Sequence, residues 1–318
     1  MADEPPSIIA VSLNTSVDRV LEVPNLVIGG HERGHLVSIQ PAGKAVNVAR
    51  LLGILGVRTI LTGFVGAGDR PRFERSFAKS PVRIELFEGS GHTRENITLI
   101  DPAHGLETHV RDVGFPLSAE DLEHIAKKLA ILATKGAYVL FGGSLPPGMA
   151  ADAFRSLLAT CSKHSALVAV DTSGEGLAAV RKAEDLWLLK PNRLELGELT
   201  GREVKSEADV LAAAAALRKR VEQVIVTSGA EGAHLFTRQG AWRARPEVDP
   251  KSIVKTVGCG DALLAGYVKA HAEGLPPPEC LRWGVATGTA AAFQASAGVV
   301  APRDVRSVYR KVAVEPVK

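Results

Sequence analysis

Cysteine is scarce: of 318 residues only Cys161, Cys259 and Cys280 carry a thiol, an odd number with no metal-ligand spacing. That pattern argues against a disulfide framework and points to a reducing cytoplasm. An excess of charge of either sign is also missing. Lys and Arg number 38 against 35 Asp and Glu, a formal net charge of +3. The basic residues are scattered, whereas a nucleic-acid partner would gather them into a stripe. The densest run, Arg218-Lys219-Arg220, falls where a helix is expected to end, and a helix C-terminus favours cations. No apolar run reaches the ~20 residues a bilayer span needs, and Met1-Ala-Asp-Glu-Pro-Pro6 lacks a basic or apolar leader pattern. The expectation is a soluble, cytoplasmic protein without a membrane partner.

What is present is ordinary globular material, 46% hydrophobic and 23% charged, in a length that allows one large domain. Short continuous apolar runs mark buried strands at 7–13, 59–65, 137–141, 166–170, 186–189 and 223–227. Between them, helical spacing appears at 42–55, 118–133, 150–163 and 207–220, and the stretch 261–296 is nearly all helical and rich in small residues. Alternation of this kind predicts an α/β fold, a mostly parallel sheet covered on both faces. Two stretches break the pattern. Residues 18–41 and 93–114 alternate apolar and polar, as antiparallel strands with one wet face do. They are expected to form a small discontinuous β-sheet, a lid over the edge where such cores bind ligands.

Several constellations could carry chemistry. Thr256-Val-Gly-Cys-Gly-Asp261 runs two glycines into an apolar-periodic helix. Successive backbone N–H groups there would make an anion hole, with a carboxylate at its rim able to take a proton; Asp261 is equally readable as an N-cap. Lys190-Pro-Asn192-Arg-Leu-Glu195 places an amide and a carboxylate on one helical turn, suited to Mg²⁺ held partly through water or to a plain capping box. Val226-Thr-Ser-Gly-Ala-Glu-Gly-Ala233 is a strand entering a glycine-rich turn that could seat nucleotide phosphates or simply connect. Near the N-terminus, Asn14, Asp18, Gly43, Lys44 and Asn47 offer polar groups for a sugar, and Arg33 and Arg94 lie on the lid segments, where cations suit a phosphate.

In this order the motifs resemble the PfkB branch of the ribokinase-like carbohydrate kinases. The resemblance covers nearly the whole chain. It rests on Asn14-x-x-x-Asp18, Gly43-Lys44 leading to Asn47-Val-Ala-Arg50, Thr93-Arg94-x-Asn96, Gly143-Ser-Leu-Pro-Pro-Gly148, Lys190-Pro-Asn192-x-x-Glu195 and Val257-Gly-x-Gly-Asp261. It is strongest toward the sugar-phosphate kinases: 1-phosphofructokinase, tagatose-6-phosphate kinase and the minor 6-phosphofructokinase. The resemblance implies a single ribokinase-like, three-layer α/β/α kinase domain over 1–318. It makes Asp261 the base and Gly258, Cys259 and Gly260 the anion hole, with Asn192 and Glu195 organising Mg²⁺. Lys190, Asn192, Thr227, Gly229, Glu231 and Gly232 fall on the ATP side. Asp18, Arg33, Gly43, Lys44, Asn47, Arg94 and Ser144 fall on the sugar-phosphate side. A homodimer through the lid is expected, because its sheet edges need covering. A monovalent-cation requirement stays open.

The chain departs from the family pattern at Ala45, usually glycine, at Cys259, usually Ala or Ser, and at a shortened stretch 66–82. Fructose 1-phosphate leads as substrate, with tagatose 6-phosphate and fructose 6-phosphate as alternatives. A rival of another class is a catalytically silent sugar-phosphate sensor, supported by Ala45 and the short 66–82 stretch. A dinucleotide-dependent oxidoreductase would rest on Gly63-x-x-Gly66-x-Gly68, which misses the Rossmann spacing.

Overall fold

The computed structural model describes residues 7–294 and 297–317; the N-terminal hexapeptide and the last two residues of the helical stretch 261–296 lie outside them. The chain enters with β1 (Ile8–Ser12) and leaves the core for β2 (Ser16–Glu22) and β3 (His35–Ala42). Helix α1 (Lys44–Ile54) returns it to β4 (Thr59–Gly66), and α2 (Arg70–Phe77) leads to β5 (Val82–Gly89). A second excursion forms β6 (Arg94–Asp101) and β7 (Leu106–Arg111). Then follow α3 (Ala119–Leu132), β8 (Tyr138–Gly142), α4 (Ala151–Lys163), β9 (Leu167–Asp171), α5 (Glu175–Val180), β10 (Leu186–Leu189) and α6 (Arg193–Thr200). The chain ends through α7 (Glu207–Leu217), β11 (Val221–Thr227), β12 (Ala233–Thr237), β13 (Gly240–Pro246), α8 (Cys259–Ala272), α9 (Pro277–Ala291), α10 (Pro302–Tyr309) and β14 (Val312–Pro316).

The main sheet is ten-stranded, in the order β14-β13-β12-β11-β10-β9-β8-β1-β4-β5. From β11 to β5 every pairing is parallel, while β12, β13 and β14 add an antiparallel flank. Side chains of the buried strands alternate between two cores, as the two-residue strand period requires. Ile9, Val11, Val139 and Phe141 face α3 to α7, whereas Ile8, Tyr138 and Leu140 face α1, α8, α9 and α10. The expected three-layer arrangement is therefore present. Helix α8 lies unusually close to α9: a Cβ on Gly266 would stand 2.3 Å from Thr287 Oγ1 and 2.7 Å from the Trp283 carbonyl.

The structure departs from the sequence-based expectation in several places. Helix α7 stops at Leu217, before the basic run, because Arg220 N–H turns back to the Leu217 carbonyl and β11 starts at Val221. The antiparallel flank is absent from the sequence reading, its strands being short and only partly apolar. The lid is a four-stranded sheet in the order β3-β2-β6-β7, but it is mixed. Strands β2 and β3 are antiparallel, as are β6 and β7, yet β2 pairs with β6 in parallel, Asp18 opposite Asn96. The reason is topological: β1 and β5 run the same way in the core, so both excursions leave from the same edge in the same direction.

Candidate active site

The parallel strands of the core all end at this edge, and the lid rises from it. The C-terminal ends of β1, β8, β9, β10 and β11 and the starts of α1, α6 and α8 meet there, the usual place for a ligand in an open α/β sheet.

Helix α8 begins at this point. Its N-cap is Gly258, in the left-handed region at φ 85°, where a Cβ would also press to 3.0 Å from the Ala297 methyl. Cys259 and Gly260 follow in the first turn, where N–H groups lack helical acceptors; that of Cys259 turns back to the Thr256 carbonyl at 3.3 Å. Burial, then the neighbouring Asp261, pushes the Cys259 thiol up to about 11, so it stays protonated at neutral pH. Asp261 is the third helical residue and makes no capping hydrogen bond. The N-cap reading is therefore overturned: Gly258 holds that position. Asp261 is instead buried, and its Oδ2 accepts a hydrogen bond from Asn47 Nδ2 at 2.9 Å. Burial, with Asp171 adding like-charge repulsion, pushes its carboxyl up to about 6 against the opposing pull of Asn47, Lys44 and Lys190.

Beside it lies a buried ion cluster. Asp171, the last residue of β9, is held between Lys44 Nζ at 2.7 Å and Lys190 Nζ at 3.0 Å. Lys44 also stands 3.9 Å from Glu195 Oε1. Burial opposes ionisation of Asp171, but the two lysines outweigh it and hold the carboxyl below its usual range. Lys44 is likewise disfavoured by burial, yet Asp171 raises it above the ordinary lysine value. A Cβ on Gly260 would meet Lys190 Nζ at 3.2 Å, so this amine reaches the start of α8.

Asn192 and Glu195 form the capping box. Asn192 Oδ1 accepts from Glu195 N–H at 2.9 Å, and Glu195 Oε2 accepts from Asn192 N–H at 2.8 Å. The box leaves Glu195 Oε1 near Lys44. A parallel bridge joins Asn192 to Thr227, which brings the glycine-rich turn alongside. Gly229 and Glu231 bound a short 3₁₀ turn. Gly232 has φ 86° and no room for a side chain, since a Cβ would lie 1.9 Å from the Ala244 carbonyl. Arg193, absent from the sequence reading, ties this turn to α6 through Ser228 Oγ at 3.0 Å and Glu231 Oε2 at 2.5 Å.

On the lid side, Asp18 Oδ1 accepts from Asn96 Nδ2 at 2.9 Å and from Ser16 Oγ at 3.1 Å. Arg94 is half-buried and donates to the carbonyls of Asn14, Thr15 and Asp112 at 3.1, 3.3 and 3.4 Å. Asn14 in turn donates to Ser144 Oγ at 3.3 Å, which brings the loop after β8 to the same corner. Gly43, at φ 117°, is the N-cap of α1 and so starts the helix that presents Lys44 and Asn47. Arg33 is not part of this assembly: it is exposed on the connection between β2 and β3.

A family profile described as "pfkB family carbohydrate kinase" matches residues 9–303. The chain belongs to the pfkB family of carbohydrate kinases. A 1-phosphofructokinase of Rhodobacter capsulatus is 35% identical over 97% of each chain. One of Bacillus subtilis (strain 168) is 32% identical over 92% of this chain and 94% of its own. Among solved structures, Escherichia coli phosphofructokinase-2 in complex with fructose-6-phosphate superposes with a TM-score of 0.87 at 25% identity, covering 96% of this chain and 99% of that one.

As a pfkB kinase the protein uses ATP and a divalent cation. Among the described residues no group of three or more His, Cys, Asp or Glu could hold an ion alone. What exists is Glu195, with one oxygen outside the capping box, and Asp171 across Lys44. That sparse oxygen set fits an ion that keeps several waters and takes other ligands from phosphates.

The departures of this pfkB kinase are absorbed structurally. Ala45 is fully buried with Ala10 and Val46. A Cβ on Gly142 would fall 3.2 Å from the Ala45 methyl, so Gly142 makes the room Ala45 needs. The short 66–82 stretch holds α2, whose Phe73 and Phe77 enter the core. Gly63 and Gly66 lie within β4, where a Cβ would be 1.9 Å from the Ser12 carbonyl and 2.1 Å from Thr93 N. They serve close packing, which removes the dinucleotide reading. Asp171 escaped the sequence reading; its only signal was a carboxylate ending a buried strand at the ligand edge.

Proposed function

We propose that this chain is a 1-phosphofructokinase, transferring the γ-phosphoryl group of ATP to fructose 1-phosphate to give fructose 1,6-bisphosphate and ADP. The observation that carries the reading is Asp261. It is buried at the start of α8, held by Asn47, and its carboxyl is raised to about 6, suited to accept a proton at neutral pH. In this reading Asp261 takes the proton of the sugar hydroxyl, the hydroxyl oxygen bonds to the γ-phosphorus, and the bond to the ADP oxygen breaks. The N–H groups at Gly258, Cys259 and Gly260 and the Lys190 amine stabilise charge on the phosphoryl oxygens.

Mg²⁺ is the proposed cation, held by Glu195 and Asp171 with Asn192 supporting Glu195; when bound, it would neutralise phosphate charge. Lys190, Asn192, Thr227, Gly229, Glu231 and Gly232 form the nucleotide side. Asp18, Gly43 and Asn47 bind the sugar, and Arg94, Lys44 and Ser144 surround its phosphate, with Arg33 arriving only if the β2–β3 connection folds inward. Full-length relatives named 1-phosphofructokinase favour fructose 1-phosphate over fructose 6-phosphate or tagatose 6-phosphate. The lid's exposed Leu36, Ile39, Leu106 and Val110 support a homodimer through the lid, and three free thiols suit the cytoplasm.

The test is ADP release across the three sugar phosphates and free fructose, with K⁺ exchanged for Na⁺ in parallel. Turnover greatest on fructose 1-phosphate is expected. Turnover only on unphosphorylated sugar would overturn the substrate, and none on any sugar, with ligand still bound, would favour the sensor.

A further inference from the structure

A second cleft lies at the far end of the core from Asp261. Its volume is about 340 Å³, within the ~300–1,000 Å³ usual for small-molecule sites. Ile54 and Leu55 at the end of α1, Val305 of α10 and the Trp283 side chain of α9 give it an apolar interior; Lys269 of α8 and Arg306 of α10 also line it. The two cations are not equivalent. Lys269 Nζ is 2.6 Å from Glu273 Oε1 and 5.1 Å from the centre of the Trp283 ring. Arg306 is exposed and, among the described residues, has no carboxylate at ion-pairing distance. The wall is thus apolar with a net positive rim.

The cleft is joined to the active site by two helices. Helix α1 carries Lys44 and Asn47 at its start and Ile54 at its end, about 15 Å along the axis at 1.5 Å per residue. Helix α8 carries Asp261 at its start and Lys269 about 12 Å further on. None of the residues that line it belongs to the proposed catalytic, sugar or nucleotide groups.

We propose that this cleft binds a small organic anion with an apolar body, its carboxylate or phosphate paired with Arg306 and Lys269 and its body against Ile54, Leu55, Val305 and Trp283. The volume is too small for a folded partner's segment. The unpaired Arg306 gives an anion its preference over a neutral molecule of the same shape, since a charged hydrogen-bonded pair outweighs a neutral contact.

The test uses the full chain with phenyl phosphate as probe, read through the indole N–H resonances of its three tryptophans, Trp283 being assigned with Trp283→Phe. A saturable shift of the Trp283 indole is expected. Phenol and inorganic phosphate should each bind roughly tenfold more weakly, as should phenyl phosphate to Arg306→Glu, a loss of about 1.4 kcal/mol. Absence of a saturable shift, equal binding of phenol, or an affinity unchanged in Arg306→Glu would each overturn the proposal. The readout is binding, so its failure is separable from failure of the kinase reading.

Discussion

Asn47 and Asp261 join the starts of two helices: Asn47 Nδ2 of α1 donates to Asp261 Oδ2 of α8 across 2.9 Å. Both side chains are buried, and among the described residues Asn47 Oδ1 has no hydrogen-bond partner. An unpaired buried acceptor beside a raised carboxyl is costly for folding alone, and it is the arrangement expected where a hydroxyl must be received. Asp261→Asn should therefore lower kcat by roughly a hundred- to ten-thousand-fold with little change in either KM. ADP release with saturating substrates checks it; full activity in the variant would remove Asp261 from the chemistry.

The same pair sets a pH dependence. The Asp261 carboxyl lies at about 6, above its ordinary 3.8, so kcat/KM should fall as pH drops through about 6. Removing the Asn47 amide takes away an interaction that favours the ionised form, so Asn47→Ala should move this acid limb to higher pH. Stability responds in the opposite sense. Between pH 6 and 4 the native state holds a proton the unfolded chain has lost, so this group adds stability as pH falls through that window. A pH–rate profile for both proteins, with denaturant midpoints at pH 7 and 5, reads the two effects separately.

Asp171 holds two lysines and repels Asp261. Asp171→Asn leaves Lys190, itself buried, without its counter-charge, and loss of one partner of a buried pair costs about 3–5 kcal/mol. It also removes the negative neighbour that raises Asp261. The variant should unfold at lower denaturant, and its acid limb should shift to lower pH. A destabilised protein with an unmoved acid limb would show that Asp171 acts only as a structural counter-ion.

These residues also show what sequence alone could reach. Most of the parallel core was legible because its strands are continuous apolar runs and its longer helices keep a clean period; β5, whose Val82-Arg-Ile-Glu-Leu86 is broken by charges, was not. The lid was legible as alternating segments, but not its parallel β2–β6 pairing, which depends on where β1 and β5 end in space. Asp261 was found through its glycines, while its N-cap alternative fell only when Gly258 was seen to hold that position. Asp171 has no motif around it. Its importance comes from Lys44 and Lys190, residues 127 positions away and on the next strand's end, and no local pattern records that convergence.

The lid's outer strands test the proposed dimer. Leu36 and Ile39 of β3 and Leu106 and Val110 of β7 are all more than two-fifths exposed, an unusual apolar content for free sheet edges. Leu36→Glu combined with Leu106→Glu should convert a dimer to monomer in sedimentation velocity without lowering the melting temperature of the core. A wild-type protein that sediments as a monomer at all concentrations would overturn the lid interface.

In the proposed function Arg94 is the residue that would discriminate a phosphorylated from a free sugar. Its guanidinium is already spent in part on the carbonyls of Asn14, Thr15 and Asp112, which fix its direction, and its planar fork of five donors leaves further ones for a phosphate. Charge-assisted bonds of this kind contribute about 1.5–3 kcal/mol, or roughly ten- to a hundred-fold in binding. Arg94→Met should raise KM for fructose 1-phosphate by that factor and leave KM for ATP unchanged. Arg94→Lys keeps the charge, but its three donors cannot serve the three carbonyls of Asn14, Thr15 and Asp112 and a phosphate at once, so it should recover only part of the loss. Equal rises in both Michaelis constants would instead mean that Arg94 merely braces the turn between β1 and β2, and the phosphate would then have to be gripped by Lys44.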